Sequence, residues 1–537
     1  MPDSTPDLIV IGGGPAGSTA ASMASRAGLS VILLEREIFP RHHVGESLLP
    51  ASMPILEELG VSQKIADAGF LPKYGATMVW GKTDSPWSWR FSETNTSYPH
   101  AYQVSRSEFD NILIERSAQL GVDVRYGCRV TNVVFKEGRA VGVEYDDPNR
   151  GSQFLKCRFI LDASGQAAMI SGSKNLRQWD DEFKNLAVYA YFEGAERLSK
   201  PDQNNIFVES YENGWIWNIP IRGNISSVGV VVDRDRSLEL LKKLSVQEFF
   251  DSQVNIPPYT SAMLKNAVQV EEPVLIRDWS YVSKDMAGNG WATVGDAACF
   301  IDPLFSSGVH MALMSGVLAS AYAVTCLESP DMAEQTMIVY EELIRREYTL
   351  FRELASLFYK TNRSVDSYFW EARRISGNSI DENARASFVK AVSGQSVRGY
   401  ERAVLERGDI PQSVLEELES TNSKTKQRES RLNELGSSIV ESVPVLHSET
   451  KVEKKPVLTD RRFEWGTLLY SPDRIEGTAC SRFVEVLISD IDGISTLGEI
   501  SRRLNEKSPG ASFDDISRYV EQTIKILYME GAVSELR

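Results

Sequence analysis

Histidine is scarce in this chain, at 5 of 537 residues. His42 and His43 are adjacent, and His310 stands far downstream. No cluster with ligand spacing joins them, so the sequence predicts no metal centre. Cysteine is equally sparse. The five (Cys128, Cys157, Cys299, Cys326, Cys480) are scattered and odd in number, which excludes a disulfide framework and fits reduced thiols in the cytoplasm. Excess positive charge is also lacking: 58 Lys+Arg against 74 Asp+Glu leave a formal charge of −16. That argues against nucleic acid or an anionic membrane as a partner. The opening MPDSTPDLIVIGGG reads as no leader, with neither a basic n-region nor a cleavable apolar stretch. One uncharged run, residues 308–327, reaches bilayer-spanning length, but its small residues and His310 fit a buried helix better than a membrane span.

What is present begins at residue 7. A β-branched and aliphatic run over 7–11 leads into Gly12-Gly13-Gly14-Pro15-Ala16-Gly17. A small-residue helical stretch follows to Gly28, then a second strand over 30–34 that ends in Glu35. This is G-x-G-x-x-G in strand–turn–helix context, with an acid 18 residues after the last glycine. The glycines let backbone approach a pyrophosphate resting on helix N-terminal N–H groups, and Glu35 can accept from a ribose diol. One such fingerprint is found, with no second for a nicotinamide. Downstream, 157–165 reads as a strand ending at Asp162. Residues 290–308 give another strand, then Gly295-Asp296, then a Pro-containing loop before the apolar helix. Residues 213–223, NGWIWNIPIRG, set Trp215 and Trp217 on one face of a strand that Pro220 ends. Taken alone, that pair reads as core packing.

The late strand and Gly-Asp segments resemble the glutathione-reductase-type FAD fold of aromatic hydroxylases. Further segments are HVGESLLP at 43–50, FLPKYGA at 70–76, W-x-W-x-I-P at 215–220 and DPLFSSGVH at 302–310. With these the chain, over roughly 5–420, resembles the flavin-dependent halogenases of the branch acting on phenols, pyrroles and carrier-protein-bound substrates. The resemblance implies an α/β, glutathione-reductase-type FAD-binding fold with a mixed-sheet substrate region. It also implies FAD, supplied as FADH2 by a separate flavin reductase, together with O2 and chloride or bromide. The implied cofactor contacts are Gly12, Gly13, Gly14, Ala16, Gly17, Glu35, Arg41, Glu46, Arg106, Asp296 and Val309; Glu46 is otherwise a plain cap. Ser307 and Gly308 match the halide site. Lys73 matches an active-site lysine that aims hypohalous acid, or carries the halogen as a haloamine if deprotonated. Trp215 and Trp217 become rigid walls that keep organic substrate away from the activated flavin. Asp278 is either a surface acid or a carboxylate tether for the flavin, as in some relatives.

Residues 1–330 are expected to form the FAD-binding and halogenation core, and 331–421 a helical substrate-side region. Residues 422–457, rich in Ser, Lys and Glu without periodicity, read as a flexible linker. Residues 458–537 read as a small, mostly α module. Its capping box Thr496–Glu499 opens a helix, and IDGISTLGEI resembles small winged-helix peptide chaperones. With 10 basic and 14 acidic residues it is not a DNA reader. The expected substrate is a phenolic or pyrrolic aromatic, either free or on an acyl or peptidyl carrier protein; basic segments at 371–377 and 396–407 are candidate docking patches. A flavin hydroxylase, a non-catalytic flavin-binding scaffold and an isoprenoid double-bond reductase are the competing readings. Lys73, the halide loop and the tryptophan pair argue against them. With one dinucleotide fingerprint, the purified protein is expected to bind FAD yet not oxidise NAD(P)H at a useful rate. Rapid bleaching of its flavin by NADH alone would overturn that expectation.

Overall fold

Leu8–Ile11 is buried at every position and pairs in parallel on both sides, with Val31–Glu35 and with Phe159–Asp162. A strand covered on both faces must be apolar throughout, which explains its unbroken aliphatic run. The sheet around it runs, in spatial order, Ala287–Gly288, Trp291–Thr293, Phe159–Asp162, Leu8–Ile11, Val31–Glu35 and Asp123–Tyr126. Helix Pro15–Arg26, with proline in its first turn, follows the central strand. Its small residues let it lie tightly against the long helix Gly308–Glu328. A Cβ at Gly316 of that helix would come within 2.8 Å of the Ala16 carbonyl oxygen and 2.9 Å of Thr19 Cβ. Gly308–Glu328 is long and apolar enough to cross a membrane, but 94% of its apolar stretch is buried inside the protein. A core helix accounts for it.

The computed structural model describes residues 5–80, 85–212, 214–360, 384–394, 423–507, 510 and 512–537. These form two units, 5–360 with 384–394, and 423–537. The first therefore extends past the expected boundary at 330, taking in helices Ala333–Lys360 and Ala384–Val392.

A second, mixed sheet builds the substrate side. Its core strands are Val274–Ser283, Arg177–Glu193, Ile225–Asp233, Gly214–Pro220, Ile206–Tyr211, Gly75–Val79 and Trp87–Arg90, in that order. Register sets Tyr189, Gly229, Trp217, Val208 and Met78 in one row across it. Ala187, Val231, Trp215 and Ser210 form the next row on the same face. The alternate residues, including Val188, Ile216, Val228, Val230 and Val232, pack with Phe249 and Phe250 of helix Val246–Val254. The period of two thus commits one face to a helix-covered core and the other, with both tryptophans, to the site.

The second unit corrects the linker reading. Residues 422–457 contain helix Ser423–Leu435, a 3₁₀ turn Gly436–Glu441 and strands Pro444–Leu446 and Lys451–Leu458. Pro444–Leu446 pairs with the C-terminal strand Val533–Leu536, and Ile439 is wholly buried in a core with Leu497, Ile500 and Val520. Lys451–Leu458 pairs with Phe463–Ser471, which pairs in turn with Arg474–Cys480. Its exposed charges (Lys451, Glu453, Lys454) disguised a strand as low-complexity sequence. Helices Arg482–Asp490, Leu497–Glu506 and Phe513–Met529 complete the unit, the second opened by the Thr496–Glu499 capping box.

Gly316→Val should separate the two packed helices of the first unit. Overpacking of this kind costs about 1–3 kcal/mol, so a lowered melting temperature with reduced FAD content is expected. An unchanged melting temperature would contradict the close packing.

Candidate active site

The fingerprint turn is held shut by its own acid. Glu35 Oε2 accepts from the Gly13 N–H at 2.6 Å, and Oε1 accepts from the Glu37 N–H at 2.8 Å. Each oxygen keeps a second lone pair, so a ribose contact stays available beyond this buttress. Gly12 has φ +96°, and a Cβ at Gly17 would sit 1.9 Å from the Gly12 carbonyl oxygen. Neither position tolerates a side chain.

Beside Gly14 lies Arg41, 3.4 Å from where a Cβ of that glycine would be. Its Nη2 pairs with Asp110 at 3.4 Å, while Nη1 is buried with no hydrogen-bond partner. An orphaned guanidinium nitrogen next to helix N-terminal N–H groups suits a pyrophosphate. The residues present therefore fit a dinucleotide. Asp110, fully buried, also grips Arg106 through two bonds of 2.8 and 3.0 Å. Sequence reading singled out Arg106 and missed Asp110, although a spacing of four on one helix carried the signal.

Arg106 Nη1 donates to the Val44 carbonyl at 2.6 Å, and a Cβ at Gly45 would fall 2.9 Å from that nitrogen and 4.0 Å from Val309 Cγ2. Gly45, with φ +101°, is thus the point where Arg106, Val309 and the HVGESLLP segment meet. Buried Glu46 accepts from the Tyr191 hydroxyl at 2.7 Å and the Gly45 N–H at 3.2 Å. It caps no helix. Burial raises its carboxyl above the ordinary value against those bonds. Asp296 is pushed up to about 6 by burial, opposed by the Arg106 charge. Its neighbour Gly295 abuts Ala16 and Ala312. These contacts link the expected cofactor residues, Asp296 only through its neighbour Gly295 and the Arg106 charge.

Lys73 reaches its place through a small ribbon. Leu71–Lys73 pairs with Ala101–Gln103, and residues 46–48 bond to the far side of that strand: Val104 N–H to Glu46 O at 2.7 Å, Leu48 N–H to Tyr102 O at 3.0 Å. Lys73 is 2% exposed; its Nζ donates to the Leu48 carbonyl at 2.9 Å and lies 5.4 Å over the Phe91 ring. Burial pushes the amine down to about 7. A cavity with room for about one water adjoins it, lined by Met78, Val208, Trp89, Leu304, Phe305 and Ser306 among others. Trp89 Nε1 is buried there with no hydrogen-bond partner.

Leu304 to Ser306 bring the expected halide loop to that cavity. Asp302 accepts from the Leu304 N–H at 3.0 Å and starts the turn Pro303–Phe305. Ser306 follows in left-handed backbone at φ +57°, and Ser307 is the N-cap of Gly308–Glu328. Ser307 is buried, whereas Gly308 is exposed, and a Cβ added to it would meet nothing within 4 Å. The first-turn N–H groups have no intrahelical acceptor.

Trp215 and Trp217 do not line the Lys73 cavity. They stand beside it on the same sheet face, Trp217 directly across from Val208. Trp217 lies over Gly229 and donates to Ser227 Oγ at 3.3 Å. Trp215 donates to the Tyr359 hydroxyl at 2.6 Å and packs against Trp80 at 6.5 Å between ring centroids. Tyr359 and Asp302 were not foreseen as partners. Of the histidines, His310 meets Glu347 at 3.3 Å and His43 donates to the Val44 carbonyl at 2.8 Å; no group of three or more candidate metal ligands occurs among the described residues. The Asp278 side chain and the segments 371–377 and 396–407 lie outside the described residues.

A family model described as tryptophan halogenase matches residues 7–99 and 92–409. The chain belongs to that family and is an FAD-dependent halogenase. It is 34% identical over 414 residues to a tryptophan 2-halogenase of Chondromyces crocatus, covering 76% of this chain and 77% of that one. It is 34% identical over 398 residues to a 1H-pyrrole-2-carbonyl-[peptidyl-carrier protein] chlorinase of Pseudomonas fluorescens, covering 70% and 88%. Among solved structures, the myxobacterial chondrochloren halogenase CndH matches at 39% identity and TM-score 0.64, over 73% of this chain and 91% of that one. The flavin-dependent halogenase CmlS matches at 26% identity and TM-score 0.72, over 99% and 96%.

The buried amine makes stability depend on pH. The unfolded lysine titrates near 10.5 and the folded one near 7. Between these values only the unfolded chain holds the proton, so Lys73 costs stability most below pH 7 and progressively less as pH rises toward 10.5. Lys73→Met should therefore raise the melting temperature most at pH 6, where the cost removed is on the order of 5 kcal/mol at most. The gain should shrink by pH 9; a pH-independent difference would contradict the assigned burial.

Proposed function

We propose that the enzyme makes hypohalous acid from chloride or bromide and passes its halogen through Lys73 to an electron-rich phenolic or pyrrolic ring. The observation that carries this reading is the dry lysine in a cavity walled partly by the halide loop. Gly12 to Gly17, Glu35 and Arg41 would hold the nucleotide end of FAD. Arg106, Glu46, Asp296 and Val309 would line its isoalloxazine end, and Ser307 and Gly308 would offer first-turn N–H groups to the halide. Bound FADH2, renewed by a separate reductase, supplies with O2 the oxidising equivalent that converts halide to hypohalous acid. Trp215 and Trp217 give the route large, rigid, apolar walls that keep water and organic substrate apart from that chemistry.

At neutral pH a lysine titrating near 7 is partly the free amine. The amine nitrogen attacks the halogen of hypohalous acid and the N–H proton leaves with hydroxide as water. The N–X halogen then passes to a ring carbon, and the ring proton returns to the amine. The unpartnered Trp89 N–H offers a donor to an oxygen on the acceptor, which a phenol or an aromatic acyl group carries. The five cysteines are all unpaired, which supports the cytoplasm as its setting. Similarity to a chlorinase acting on a carrier-bound pyrrole supports a tethered acyl substrate here.

Two experiments follow. Lys73→Met should lose about 10²–10⁴-fold in halogenated product while still binding FAD and oxidising FADH2; comparable product would remove Lys73 from catalysis. Pyrrole-2-carboxylate and 4-hydroxybenzoate, each free and as a carrier thioester, should be halogenated faster in the tethered form. Equal rates would end the tethered reading.

A further inference from the structure

The hydroxyl of Tyr359, at the end of helix Ala333–Lys360, joins the tryptophan wall to the halide loop, two parts of the site that are 87 residues apart in sequence. Trp215 Nε1 can only donate, and it does so to Tyr359 Oη at 2.6 Å. The single Tyr359 proton goes to Asp302 Oδ2 at 2.6 Å. Asn185 Nδ2 donates to the same phenol oxygen at 3.0 Å and to Asp302 Oδ2 at 3.3 Å. The direction of the chain is therefore forced: tryptophan to tyrosine to carboxylate. Asp302 is 3% exposed and its other oxygen takes the Leu304 N–H, fixing the turn before Ser306 and Ser307.

Ser306 sits in left-handed backbone, which disfavours a non-glycine residue by about 1 kcal/mol and persists only where the surroundings enforce it. Ser306 closes the turn that Asp302 opens, its N–H donating to the Pro303 carbonyl at 3.0 Å. The Tyr359 ring is itself fixed edge-on to Phe183 at 5.3 Å. We propose that Tyr359 is a positioning residue for the halide loop, its hydroxyl locking Asp302 to the tryptophan wall so that the first-turn N–H groups at Ser307 and Gly308 keep a halide-binding arrangement. This deepens the halogenase reading above and rests on it.

The test is Tyr359→Phe, which keeps the ring packing and removes only the node. Bromide is titrated into the FAD-loaded enzyme and followed by the flavin absorbance change. An apparent bromide Kd raised about five- to tenfold is expected, the scale of one lost buried hydrogen bond. FAD content and the rate of FADH2 oxidation should be unchanged, and halogenated product per FADH2 should fall at low bromide and recover at high bromide. Asn185→Ala, which spares the Tyr359–Asp302 bond, should weaken bromide about two- to threefold and decides the matter if the first variant does not load FAD. Parent-like bromide affinity in the FAD-loaded variants would overturn the proposal, as would a lower melting temperature with no change in bromide dependence. A parent enzyme with no saturable bromide response would instead overturn the halide site itself, and with it this inference.

Discussion

The interaction on which the site depends is the desolvation of one amine. Among the described lysines only Lys73 is fully buried, and it has one carbonyl acceptor where an ammonium would want three. Water has been traded for Phe91 and apolar strand residues, so the charged form is disfavoured and the nucleophilic form becomes accessible at neutral pH. In the proposed reaction, the remaining geometry keeps that position dry while an electrophile is brought to it. The ribbon from residues 46–48 through 101–104 to 71–73 sets the amine, and the same ribbon carries Glu46 toward Arg106. Positioning of the lysine and of the expected flavin contacts is therefore a single structural event.

The substrate sheet supplies the second constraint. Because side chains alternate, a one-residue slip in Gly214–Pro220 would turn Trp215 and Trp217 into the helix-covered core and Ile216 toward the site. The register is pinned from both neighbours, and Gly229 leaves the space that the Trp217 indole occupies. Tryptophan, rather than a smaller residue, fills a dry wall with rigid surface and still offers an N–H. Trp215 uses that N–H to reach Tyr359, so the wall also anchors the loop before the long helix.

How much could be read in advance followed how local each signal was. The glycine turn, its acid and the strands on either side lie within about 30 residues, the span of one strand–helix–strand unit, and the sequence pattern located them closely. The W-x-W spacing stated its strand face for the same reason. Arg106 was readable while Asp110 was passed over, although four residues on a helix is a local relation. The pairing of Asp302 with Tyr359 was not readable, since 57 residues and a change of element separate them and Tyr359 carries no motif of its own. The linker reading failed for a different reason. Alternating charges on Lys451–Leu458 lower its mean hydropathy, and the partners that make it a strand, Phe463–Ser471 among them, come later in the chain.

Direct titration of the buried amine tests the account most sharply. With lysine labelled by 13C at Cε, the resonance absent from the Lys73→Met protein identifies Lys73, and its shift is followed from pH 5 to pH 11. The account predicts a midpoint near 7, well separated from the remaining lysines. A midpoint near the ordinary lysine value of about 10.4 would contradict it, because a charged, hydrated side chain at that position could neither accept halogen at neutral pH nor mark a water-free route.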